Sequence, residues 1–212
     1  MSLISLVGAH RTGKTSLARA YAEKHEITFL ETSVSAIFRE LGHDPAGDFD
    51  FKTRLMIQEE ILTRVDRIYA EQDPALQTIT DRSPLDMAGY LMADAIGKSV
   101  QGRDQKHFKA YMEKCFEITN RRFSTVILVQ PGISLVKAKG KAALNEAYIE
   151  HLNTLILGLT VDERLKVPHF YLPRRCLEMA DRVSSVEGAL GRVTNVASRH
   201  LEEYVANGSF IH

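Results

Sequence analysis

The sequence predicts an α/β fold: a parallel sheet of about five strands with helices on both faces, three layers in all. Short apolar runs of strand length recur along the chain, helix-length segments separate them, and glycine, proline or capping residues mark the junctions. Parallel neighbours need long crossovers, and those crossovers cover the sheet. The 212 residues fit a single domain spanning 1–212, with no repeat, low-complexity tract or linker to divide it.

Each element follows in order. Leu3-Ile4-Ser5-Leu6-Val7 reads as a buried strand, followed by a glycine-bearing turn, a helix over 14–25 and a second short strand over 27–30. Helical spacing over 34–41 ends at Gly42, and Asp50 caps a longer helix that continues towards residue 70, with Pro74 beyond it. Residues 77–80 form a third strand leading into Asp81, and Ser83-Pro84 opens the next helix with proline in its favoured first-turn position. A helix over 104–122 precedes the strand over 125–129. A basic loop and a helix over 142–159 then lead to a last strand over 169–172, framed by Pro168 and Pro173.

Composition narrows the function. Hydrophobic residues make up 44% and charged residues 25%, which suits a packed globular core. Lys plus Arg and Asp plus Glu are both 27, so no global positive field draws the chain to nucleic acid or to a membrane. Cys115 and Cys176 lack metal-site spacing and read as two reduced thiols, which suits the cytoplasm. The apolar stretch 3–7 is far short of the roughly 20 residues of a membrane span and runs straight into the glycine turn, so neither insertion nor export is expected.

That turn carries the strongest motif. Gly8-Ala9-His10-Arg11-Thr12-Gly13-Lys14-Thr15 satisfies G-x-x-x-x-G-K-[ST], the Walker A phosphate loop, between a strand and a helix. Its glycines let backbone N–H groups turn inward as an anion nest at the positive end of a helix. Lys14 then holds β and γ phosphates, Thr15 offers its hydroxyl to Mg²⁺, and Ser16 reaches a further phosphate oxygen. ATP and Mg²⁺ are therefore the expected cofactors, with Gly8, Arg11, Thr12, Gly13, Lys14, Thr15 and Ser16 as the nucleotide-binding set. The side chains of His10 and Arg11 occupy variable positions and are expected to face solvent.

In an open α/β sheet, ligands bind beyond the carboxyl ends of the strands. Glu31 and Asp81-Arg82 close the second and third strands and so face the loop. Phosphoryl transfer needs a carboxylate to orient Mg²⁺ or take the acceptor's proton, and a guanidinium to clamp developing charge. Asp81 or Glu31 supplies the first, Arg82 the second, and Asp81 pairs with Thr15 as the metal candidate. Asp86 fits the acidic first turn of any helix. Phe38, Phe49, Phe51, Gln58 and Tyr90 either frame a planar acceptor ring or pack into the core.

The loop Gly8 to Thr15, the strand end at Glu31, the stretch Asp50 to Gln58, and Asp81-Arg82-Ser83-Pro84-Leu85-Asp86 followed by Tyr90 together resemble the small P-loop kinases of the nicotinamide riboside kinase, deoxynucleoside kinase and thymidylate kinase type. The resemblance covers most of the chain. It implies a P-loop NTPase sandwich, transfer of the ATP γ-phosphate to a nucleoside- or nucleotide-like acceptor, and a basic lid near 131–145. Val136-Lys137-Ala138-Lys139-Gly140-Lys141 falls there, but carries lysines where those families place arginine, and reads equally as an exposed loop. Two other functions fit the motif: an ATPase without an acceptor, and a kinase acting on a hydroxymethyl pyrimidine in DNA, for which Arg103, Lys106, Lys109, Arg121, Arg122, Arg174 and Arg175 supply local charge.

Overall fold

A computed structural model of the protein describes residues 2–44, 47–95, 100–135 and 145–206, with side chains described up to residue 196. Its strands are β1 (Ser2–Val7), β2 (Thr28–Leu30), β3 (Gln77–Thr80), β4 (Thr125–Val129) and β5 (His169–Leu172). Helices α1 (Lys14–His25), α2 (Val34–Glu40), α3 (Phe51–Ala70), α4 (Pro84–Asp94), α5 (Arg103–Arg122), α6 (Glu146–Thr160) and α7 (Met179–Ala206) surround them. The five strands are all parallel, in the order β2-β3-β1-β4-β5.

The period-2 geometry of a strand sorts the apolar residues between two cores. Leu3 and Val7 of β1, with Val126 and Leu128 of β4, join the core built with α3, α4, α5 and α6. Ile4 and Leu6, with Ile127 and Val129, join the opposite core, where Leu17, Ala18 and Tyr21 of α1 meet Val183, Val186 and Ala189 of α7. Both faces of the central strands are thus covered, which is why β1 and β4 read as largely apolar runs, with Ser5 the polar residue inside β1.

Helix starts follow local chemistry. Asp50 accepts from Thr53 N at 2.7 Å, and Asn145 accepts from Tyr148 N at 3.1 Å. At α4, Ser83 and Asp86 form a reciprocal capping box with Pro84 in the first turn. Helix α1 differs: its N-cap is Gly13, with no side chain capping its first turn.

Two elements depart from expectation. The described part of α6 begins at Glu146, and the basic stretch 136–141, like residues 142–144, lies outside the described residues. Helix α7 was not anticipated at all, although its amphipathic spacing places Val183, Val186 and Ala189 on one buried face.

Candidate active site

The order β2-β3-β1-β4-β5 puts β3 and β4 on either side of β1, so the loop after β1 emerges between them. In-register pairing of Ser5 with Thr80 brings Asp81, the residue that follows β3, alongside that loop. Gly8 is required here: its φ is +142°, and a Cβ would lie 2.5 Å from the carbonyl oxygen of Val129. Gly13, at φ +79°, ends the loop and starts α1.

Lys14 is buried within the loop, and its Nζ donates to the carbonyl oxygens of Gly8 and Ala9, each at 2.7 Å. Burial, followed by repulsion from Arg82, lowers its pKa to about 7, with Asp86 and Asp81 opposing the shift. Thr12 donates its hydroxyl to Ala9 O at 3.0 Å and closes the turn. Thr15 Oγ1 donates to Asp81 Oδ2, and Asp81 Oδ1 accepts from Thr32 N at 3.4 Å. Phosphate loop, β2 end and β3 end therefore meet at one carboxylate. Ser16 is exposed in the first turn of α1.

Asp86 does more than stabilise its helix. It is 1% exposed and accepts from Gly8 N at 2.9 Å and from Ser83 N at 2.8 Å. Burial raises its pKa, while Lys14 and Arg82 act against that rise. Arg82 Nη1 lies 4.0 Å from Asp86 Oδ1, and the guanidinium sits 5.9 Å from the centre of the Tyr90 ring. One turn along α4 from Asp86, Tyr90 OH accepts from His10 N at 3.1 Å and lies 3.1 Å from His10 Nδ1. The same face of α4 thus grips the loop twice, at Gly8 and at His10.

His10 is half-buried against Tyr90 and Tyr148, not solvent-facing as its variable position suggested. Arg11, at φ +66°, borders a cavity of about 350 Å³ shared with Ile133, Glu146, Glu150 and Arg174. The carboxylate of Glu31, the residue before Thr32, is exposed and paired with Arg19 at 3.2 Å. Of the candidate ring residues, Phe38 and Gln58 are buried, with Gln58 accepting from Tyr111 OH at 3.4 Å. Phe49 lies under Arg54, and Phe51 packs on Phe108. Several of the basic residues considered for DNA are already paired: Arg121 and Arg122 with Asp66, and Arg174 with Glu150.

A model of an AAA-domain family matches residues 3–135, which takes in the phosphate loop, the Asp81-Arg82 pair and helix α4. The chain belongs to this AAA-domain family. No curated protein matches its sequence. Solved structures of similar fold include deoxyadenosine kinase from M. mycoides with bound dCTP, at TM-score 0.63 and 17% identity over 90% of this chain and 99% of that one. The NadR protein in complex with NR aligns at TM-score 0.66 and 14% identity, over 92% of this chain and 51% of NadR. Thymidylate kinase from Candida albicans aligns at TM-score 0.63 and 12% identity, over 92% of each chain. The AAA-domain protein thus has the fold of nucleoside and nucleotide kinases, as the resemblance implied.

Two contributors in the AAA-domain protein escaped sequence reasoning. The grip of Asp86 and Tyr90 on the loop was legible only as a helix cap and an aromatic. The other is Arg182 of α7, whose Nη2 donates to Thr12 O at 2.7 Å. No helix among the described residues is long and apolar enough to cross a membrane, and Cys115 and Cys176 are free thiols.

Proposed function

We propose that this protein is a kinase transferring the γ-phosphate of ATP to a hydroxyl or phosphate of a nucleoside- or nucleotide-like acceptor. The observation that carries this reading is the contact between Thr15 and Asp81, which joins a phosphate-loop hydroxyl to a carboxylate at the end of β3. Those hard oxygen donors, the Thr15 hydroxyl and the Asp81 carboxylate, would hold Mg²⁺, which would supply positive charge to offset that on the departing group.

The protein's own groups do the rest. The loop N–H groups and the start of α1 hold the phosphates. Lys14 turns its ammonium from the carbonyls of Gly8 and Ala9 to the β and γ phosphates. Arg82, steadied by Asp86 and Tyr90, adds positive charge where the phosphoryl group passes. Glu31, beside the Thr32 amide that Asp81 holds, receives the acceptor's proton once Arg19 releases it. Catalysis is then chiefly positioning and electrostatics.

A mechanical ATPase is less well supported, because the residue after Asp81 is Arg82 and not a second acid able to activate water. The test is phosphate transfer from ATP with Mg²⁺ to a panel of nucleosides, nucleoside monophosphates, nicotinamide riboside and hydroxymethyl-containing DNA. A phosphorylated small acceptor is expected. ADP release with no phosphorylated acceptor would replace the kinase with an ATPase, and transfer confined to DNA would replace the small acceptor with a polymer.

A further inference from the structure

Helix α7 sends one charged side chain into the phosphate loop. Arg182 is 3% exposed, although arginine is among the residues least often buried. Its Nη2 donates to Thr12 O at 2.7 Å, and its Nη1 lies 2.8 Å from where a Cβ on Gly13 would stand. Its Nε is buried with no hydrogen-bond partner. Among the described residues no carboxylate forms an ion pair with it, whereas Arg54, Arg64, Arg121, Arg122, Arg164 and Arg174 all have one.

A buried cation without a counter-charge is costly, and a plain strut between α7 and the loop needs only a neutral donor. The position of Arg182 supplies what is missing. Thr12 C=O and Gly13 N–H belong to one peptide unit, so a charged donor on the oxygen polarises the N–H on the other side. That N–H belongs to the loop, and Gly13 begins a helix whose first turn has no side-chain cap. Gly13 also leaves the guanidinium room to lie flat against the backbone.

We infer that Arg182 is a positioning residue for the nucleotide's phosphates: it fixes the Thr12–Gly13 peptide and places a positive charge behind the anion nest, whose counter-charge is the bound polyphosphate. The inference rests on the proposed reading of the loop as a phosphate site. It predicts that Arg182 acts on phosphate affinity through its charge, and not merely on folding.

The test compares the full chain with R182M, R182Q and R182K, measuring by calorimetry the affinity for inorganic triphosphate and for ATP with Mg²⁺, and recording each variant's melting temperature. R182M and R182Q should bind both ligands about tenfold more weakly, and R182K, which restores the charge, should lose no more than about threefold. R182Q keeps an amide donor without the charge, so it carries the test even where R182M does not fold. Triphosphate affinity in R182Q within about twofold of the unsubstituted protein would overturn the inference, as would R182K binding no better than R182Q. Failure of the unsubstituted protein to bind triphosphate at all would instead overturn the phosphate-site reading on which it rests.

Discussion

At the scale of single residues, the site turns on one shared carboxylate. Asp81 contacts Thr15 through one oxygen and the Thr32 amide through the other, so its charge faces the loop with little freedom to rotate. Asp81→Asn keeps the shape and removes the charge. Turnover in the acceptor assay should fall by about 10²-fold or more, with melting temperature nearly unchanged. Retention of full kcat would remove Asp81 from the proposed catalytic set. This residue was readable from sequence because a strand, an Asp-Arg pair and a proline-led helix stand together. The partners of Asp86 and His10 were not, since a capping acid and a variable loop residue look the same whether or not they touch something 78 or 80 positions away.

At the scale of elements, strands and most helices were legible because burial on both faces writes long apolar runs and caps announce helix starts. β3 and β4 appear at their expected bounds, and Ser83-Pro84 opens α4 as anticipated. Helix α7 was missed because no strong cap or breaker announces it, although its helical spacing of apolar residues sets out the face that packs on α1 and β5. The junction most sensitive to change is the β1 exit. Gly8→Ala would place a methyl group 2.5 Å from Val129 O at a φ that side chains rarely adopt, so backbone must move. Chemical denaturation should show a loss of about 2 kcal/mol or more, with nucleotide affinity falling alongside. Unchanged stability in that variant would mean that the loop relaxes freely away from β4.

At the scale of the whole molecule, the buried ammonium of Lys14 links global stability to pH. Its pKa falls from the ordinary value of 10.5 to about 7, so between those limits the unfolded chain binds more protons than the folded one. The penalty for burying the charge is present in full below about pH 7 and shrinks as pH rises towards 10.5. Denaturant unfolding of the unsubstituted protein and of Lys14→Met, followed from pH 6 to 10, should show the unsubstituted protein gaining on the variant above pH 7. The gain should be at most about 1.4 kcal/mol per pH unit. Parallel curves would mean that Lys14 keeps its ordinary pKa in the folded state.

The bond from Arg182 to Thr12 spans 170 positions of the chain. During synthesis the arginine that backs the glycine loop follows it only after all five strands of the sheet have been made. At roughly 5–20 residues per second, that interval is on the order of 10–30 seconds. A nascent chain therefore carries the glycine loop well before α7 follows, and the contact from Arg182 to Thr12 is among the last that the loop can gain. A stalled or shortened product ending before α7 would carry the whole recognisable motif and still lack the charge behind it.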